Sequence, residues 1–353
     1  MKILFVGELR VGRTAHQRMR AQLELGHQVV GVDTFEDVVT NPLELLFLKV
    51  RGRLGRPKDL NHVNLKIAHL AAEQRFDILW LDKALTVTCS TLAIFRKGNP
   101  GAACIFYSGD DMLNPRNQTY YYREALPHYD IHFTTKSYNV AELEGMGCKQ
   151  VTYIENAYDP KTHRPMQLSS SDMQRYASDI GFVGGYEQDR WTHMKRLALA
   201  KLQVRIAGSF WERVDASAAP NMSVMYGDLC GDDYAKAICA TKVNLCFLRK
   251  INRDLETTRS VEIPACGGFM LAERTEEHRA LFEEGKEAEY FETFDELLDK
   301  ARFYVRHDAA RSRIASAGHA RCMSSGYSVH DRMSHMLAQA KDLLEWGNRR
   351  QGH

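Results

Sequence analysis

Arg259-Ser-Val-Glu262-Ile-Pro-Ala-Cys-Gly267-Gly268-Phe-Met-Leu-Ala-Glu273 joins a short charged helix to a glycine turn and then to a buried strand. The glycine pair ends the helix, because glycine accepts the left-handed backbone that a helix C-terminus favours. Residues 269–272 form an uninterrupted apolar run that predicts a strand, with Glu273 at its far end. Arg259 and Glu262 stand three residues apart, on one face of the same helix, and Asp254 lies eight residues before Glu262.

Outward from this stretch, apolar runs predict strands at 180–183, 204–207, 224–226, 243–248, 269–272 and 289–291. An earlier set falls at 3–6, 29–32, 78–81, 104–107, 131–134 and 151–154, with helices at 15–25, 64–73 and 138–146. Strand and helix alternate within each set, as in a parallel sheet with crossover helices. Between the sets, residues 156–171 are rich in Pro, Ser and Thr and have the composition of a linker. After residue 294 the pattern is helical, with breaks near 308 and 325–326.

A length of 353 residues suits two domains, each able to bury its own core. Lys and Arg total 47 against 45 Asp and Glu, a net charge of +2, so no general pull toward nucleic acid or anionic membrane is expected and any anion preference must be local. The eight cysteines form no CxxC pair and read as reduced core residues of a cytoplasmic protein. Residues 1–7 read as a first strand, not a signal peptide. No run approaches the roughly 18 to 20 apolar residues of a membrane span. Residues 42–56 are amphipathic with a basic tail, and two readings are open: a surface helix packed on the first domain, or a membrane foot.

Several segments together carry a family resemblance: Asp179-Ile-Gly-Phe-Val-Gly184-Gly185, Val243-Asn-Leu-Cys-Phe-Leu, the 259–273 stretch, and Ala315-Ser-Ala-Gly318-His319. Ser108-Gly-Asp110-Asp111 and Thr134-Thr-Lys-Ser-Tyr-Asn139 add to it more loosely. The chain resembles the CgeB-like (spore maturation protein CgeB) branch of the GT-B glycosyltransferases. The resemblance implies an α/β fold of two Rossmann-like, doubly wound domains facing each other. Residues 1–160 would bind the acceptor, 161–330 the nucleotide sugar, and 331–353 would form a helix packing back on the first domain. It implies transfer of a sugar from a nucleoside diphosphate to a glycan, lipid-linked or protein acceptor, with Glu262 holding the donor ribose. Asp254 stands where the resembled pattern has a Glu.

Within that expectation, functional groups belong on loops after strands, where open α/β sheets bind ligands. Gly184-Gly185 lets backbone amides approach a phosphate, the following helix adds positive potential, and Arg190 offers a forked donor. A tight turn with a solvated Arg190 is the alternative. Arg259, or the Arg249-Lys250 pair, is a candidate to neutralise a leaving diphosphate, against a plain i,i+3 salt bridge between Arg259 and Glu262. With Gly267, Gly268 and Glu273 these complete the expected donor site. Asp110 and Asp111 follow a buried strand and are candidate general bases, or else an Asx turn leading to Asn114-Pro115. His16 is a weaker candidate base. No cofactor and no metal are expected, the nucleotide sugar being a substrate.

Two rival functions remain. Gly7-Glu-Leu-Arg-Val-Gly12-Arg13-Thr14 differs from a phosphate-binding P-loop by Arg in place of Lys, and residues 78–82 mimic the strand with a magnesium-binding Asp82, so a nucleotide hydrolase is one. Arg is too bulky and rigid to copy the wrapped Lys of that loop. The other is a non-catalytic GT-B module of a cell-surface or spore-coat assembly.

Overall fold

The computed structural model of the protein describes residues 1–35 and 40–351. The chain divides into two compact units, one made of residues 1–155 with the C-terminal helix and the other of residues 156–328.

The first unit contains β1 (Lys2–Gly7), α1 (Thr14–Glu24), β2 (Gln28–Asp33), α2 (Pro42–Arg53), α3 (Val63–Glu73), β3 (Ile78–Asp82) and α4 (Cys89–Gly98). It continues with β4 (Ala103–Ser108), α5 (Tyr120–Ala125), β5 (Ile131–Thr134), α6 (Asn139–Gly145) and β6 (Val151–Tyr153). The second contains α7 (Ser170–Tyr176), β7 (Ser178–Val183), α8 (Gln188–Leu199), β8 (Val204–Gly208), β9 (Met222–Tyr226), α9 (Asp232–Ala240) and β10 (Thr241–Cys246). Then follow α10 (Arg259–Ala265), β11 (Met270–Glu273), α11 (Glu276–Leu281), β12 (Glu289–Phe291), α12 (Phe294–Arg306) and α13 (Asp308–Ser324). The last helix, α14 (Val329–Gln351), packs on α1 in the first unit. It is tied there by His330 to Glu24 at 2.7 Å and Arg332 to Glu155 at 3.1 Å.

Each unit carries one six-stranded sheet, ordered β2-β1-β3-β4-β5-β6 and β12-β11-β10-β7-β8-β9. Every pairing is parallel. The strands expected from the apolar runs are all present, with ends displaced by at most two residues. The reason is burial on both faces: β3 and β4 have no exposed residue, so their apolar runs are unbroken. Helices cover the sheets through Leu92, Phe95 and Tyr122 in the first unit and through Met194, Leu197 and Leu297 in the second. All eight thiols are free, and five are buried.

The strand orders locate the functional edges. In each sheet the order reverses beside the first strand, between β1 and β3 and between β7 and β10. Crossovers leave in opposite directions at such a point, which opens a crevice at the carboxyl ends of the two strands.

Candidate functional site

At the reversal point of the second sheet, β7 ends at Val183 and the chain enters Gly184-Gly185. The loop is fixed from beneath. The Gly184 amide donates to the Ala207 carbonyl at 2.8 Å, and the Gly184 carbonyl accepts the Trp211 indole N–H at 2.8 Å. Gly208, with φ of +149°, lies so close to the Gly184 carbonyl that any Cβ there would overlap it. The Gly185 amide has no partner among the described residues. Glu187 gives α8 no side-chain cap, so the first amides of that 12-residue helix also stay open.

Two guanidinium groups lie against this loop. Arg190, on the first turn of α8, is only 5% exposed. Its Nη1 donates to the Gly185 carbonyl at 2.9 Å, while Nε and Nη2 are buried without a hydrogen-bond partner. Arg259, the first residue of α10, brings Nη1 to 3.1 Å from where a Gly184 Cβ would stand, and its Nε is likewise buried and unpartnered. Both groups lie over the Phe182 ring, at 5.4 and 5.5 Å from its centre. Burial, and then repulsion from Arg259, pull the Arg190 pKa down to about 10. Among the described residues the carboxylate that pairs with this cluster is Glu187, whose Oε1 lies 3.5 Å from Arg190 and 3.3 Å from Arg249. The positive charge of this loop therefore exceeds what the protein itself neutralises.

Glu262 sits one turn along α10 and does not pair with Arg259. Its Oε2 accepts the Tyr234 hydroxyl at 2.7 Å, and its Oε1 is 3.6 Å from His163 Nε2. The Asp159 amide donates to His163 Nδ1 at 2.9 Å, which leaves the ring proton on Nε2, facing Glu262. Burial, and then the neighbouring Glu262 charge, push the Tyr234 phenol well above its ordinary range, so it stays a donor. Glu262 is thus oriented by one hydrogen bond, from Tyr234, with the His163 ring close by, and Oε1 keeps acceptor capacity.

Other expected donor residues lie elsewhere. Gly267 and Gly268 close the far end of α10: the Gly267 amide donates to the Pro264 carbonyl at 2.9 Å, and the Gly268 amide to Ile263 at 3.0 Å. A Cβ at Gly268 would strike Ile238, so this pair serves packing and chain reversal rather than the guanidinium cluster. Glu273 accepts the Leu248 amide at 2.9 Å and pairs with Lys250, which occupies Lys250 with a carboxylate instead of leaving its charge for a ligand. Asp254 accepts from Asn252 at 2.7 Å and folds the loop after β10. His278 is fully buried, bonding Ser260 Oγ at 2.7 Å and the Glu273 carbonyl at 2.6 Å, and anchors α10 to α11.

In the first unit the Asp pair separates. Asp110 is partly exposed and pairs with Lys83, which follows β3. Asp111 is buried and caps its own turn, accepting the Leu113 amide and Asn139 Nδ2, each at 3.0 Å. The Asx-turn reading thus describes Asp111, and Asp110 alone of the two is open to solvent. His16 is half-buried on α1, with no hydrogen bond among the described residues. Asp82, the magnesium ligand of a P-loop reading, is instead engaged bidentately by Arg18 at 2.6 and 2.8 Å. That pairing removes the anionic metal ligand the hydrolase reading needed.

Sequence reasoning assigned nothing to Tyr234, His163, Phe182 or Glu187. The first two are 28 and 99 residues from Glu262, and no local spacing links them.

The paired doubly wound sheets define the fold class. The fold is that of the GT-B glycosyltransferases. Anabaena Alr3699/HepE in complex with UDP and glucose is similar at 14% identity over 97% of this chain and 100% of that one, with a TM-score of 0.63. Sucrose-phosphate synthase from Thermosynechococcus elongatus is similar at 13% identity over 98% and 99%, TM-score 0.62. An alpha-glucosyltransferase in complex with UDP-glucose and DNA containing an abasic site is similar at 12% identity over 97% and 99%, TM-score 0.67. Residues 190–338 match the model of a family described as Glycosyl transferase-like, a span that starts at Arg190 and includes Arg259 and Glu262. A search of curated proteins found no match.

Proposed function

We propose that the protein is a glycosyltransferase whose second unit binds a nucleoside-diphosphate sugar at the β7–β10 reversal point. The observation that carries this is the pair of buried guanidiniums, Arg190 and Arg259, with unpartnered N–H groups beside an open glycine amide. Buried donors of this kind are costly unless something accepts from them, and a diphosphate has the acceptors and the charge. Arg190, Gly185 and the α8 amides would hold the diphosphate. Arg259 would neutralise charge as the sugar's bond to the leaving phosphate breaks, which is where a transition-state contribution is needed. Glu262, steadied by Tyr234 and His163, would accept the ribose hydroxyls. In this reading the arginines supply the charge compensation without a metal, and Asp110 is the candidate to take the acceptor proton.

The test is calorimetry with nucleoside diphosphates in the presence of EDTA. UDP is the first probe, since the Anabaena protein and the alpha-glucosyltransferase were each solved with UDP or its glucose conjugate. Saturable binding that survives EDTA, is lost in Arg259→Ala and is kept in Arg13→Ala is the expected result. Binding that requires magnesium would remove the metal-free part of the proposal. Absence of binding by every nucleoside diphosphate would remove the donor site itself. A protein that binds but never turns over would be a non-catalytic module.

A further inference from the structure

We propose that α2 docks the protein on an anionic membrane surface. This 12-residue helix has no buried residue. Leu43, Leu46, Phe47, Val50 and Leu54 are between 46% and 79% exposed. At i, i+3, i+4, i+7 and i+11 they fall on one stripe, roughly 100° wide, of an outward face. Scattered exposed leucines need no explanation, but five large apolar side chains in a continuous stripe mark a surface that is covered in use.

The charges beside the stripe say by what. Residues 42–58 hold five basic side chains, at 49, 51, 53, 56 and 58, against one acidic residue, Glu44. Lys49 and Arg53 flank the stripe on one side, where their charges can meet a lipid headgroup layer. Lys49 and Arg53 make no ion pair among the described residues, whereas Glu44 is taken by Lys58 at 3.5 Å. A cavity of about 750 Å³ opens at the end of the helix between Arg53 and Arg123, with Glu124 the single acid in its lining. The helix is held from the other side. Arg51 donates to the Tyr121 hydroxyl at 3.2 Å, Arg56 lies 4.1 Å over the Tyr120 ring, and the Tyr120 amide donates to the Gly55 carbonyl at 2.6 Å. These contacts fix the C-terminal end of α2 on α5, with Leu45 and Leu48 on the less exposed side of the helix, and leave the stripe of Leu43, Leu46, Phe47, Val50 and Leu54 outward.

The reading is independent of the nucleotide site and is tested without donor, by co-sedimentation of the full chain with vesicles. Phosphatidylcholine vesicles with about 30% phosphatidylglycerol should bind it, neutral phosphatidylcholine vesicles should bind much less, and added salt should weaken the difference. Lys49→Gln with Arg53→Gln should lower the partition by about fivefold per charge removed. Leu46→Ser with Phe47→Ser should abolish it, with melting unchanged because both side chains are exposed. Equal binding to neutral vesicles would overturn the anionic assignment. A concentration-dependent dimer in sedimentation velocity, dissolved by the Leu46→Ser, Phe47→Ser change while no vesicle binds, would assign the stripe to a second copy of the chain and overturn the proposal.

Discussion

Replacing Arg190 by Met should make the free protein more stable while destroying its affinity for a diphosphate. The guanidinium is buried, has two nitrogens without a hydrogen-bond partner and faces Arg259, and burial followed by that repulsion pulls its pKa from the usual guanidinium range down to about 10. That depression corresponds to about 3 kcal/mol borne by the folded state at neutral pH. Methionine removes the charge, roughly fills the space and gives up one hydrogen bond to the Gly185 carbonyl, a loss of about 1 kcal/mol in its neutral form. A net gain of about 1 to 2 kcal/mol is expected, or about 2 to 4 °C in melting temperature per kcal/mol for a unit of this size. The sign of the pH dependence is a second check. Because the folded pKa is the lower one, the unfolded chain holds this proton to higher pH than the folded protein does. The parent therefore gains stability from this group as pH rises through 10, and Arg190→Met should lack that gain. Differential scanning fluorimetry between pH 7 and 11, with UDP calorimetry at pH 7.5, reads all three effects. An Arg190→Met protein that melts well below the parent and binds UDP equally would refute the reasoning and make Arg190 a structural residue.

Glu262→Ala should weaken nucleoside diphosphate binding by about 1 to 3 kcal/mol, and Tyr234→Phe by less, since it only loosens the carboxylate; unchanged calorimetric affinity in a folded Glu262→Ala protein would sink the ribose assignment. Asp110→Asn should leave donor affinity intact and lower turnover about 100-fold or more, if Asp110 is a general base. Asp111→Asn should instead lower the melting temperature, because its carboxylate holds Asn139 and the Leu113 amide; the two are separated by assaying turnover and melting together. His132 is fully buried against Tyr122 at 2.9 Å, and burial pushes its pKa down to about 3. Its folded pKa lies below the unfolded value, so stability should fall as pH drops from 6.5 toward 3, and His132→Phe should flatten that limb in pH-resolved melts.

Local chemistry made much of the fold legible. Strands such as Ile78–Asp82 and Ala103–Ser108 are buried on both faces, so each appears as an apolar run whatever surrounds it. The end of α10 was equally readable, since Gly267, with φ of +73°, occupies the left-handed position that glycine favours. Glycines 184 and 185, with Arg190 behind them, were readable as an anion loop for the same reason: backbone approach and helix polarity are local properties.

Partnership was not local. Whether Arg259 would pair with Glu262 or stand unpaired was undecidable from their spacing, because i,i+3 geometry allows both. Tyr234 on α9 and His163 before α7 settle the carboxylate's orientation from far along the chain. Lys250 and Arg249 are neighbours in sequence, yet one is matched by Glu273 and the other by Glu187. Asp110 and Asp111 are neighbours in sequence, yet one meets Lys83 after β3 and the other the buried Asn139 side chain on α6. The sequence by itself determined where strands, turns and anion-friendly loops lie, since these depend on residues near one another in the chain. The tertiary structure alone decided which charges are neutralised and which are left for a ligand, because charge balance in a buried site is summed over elements that only folding brings together.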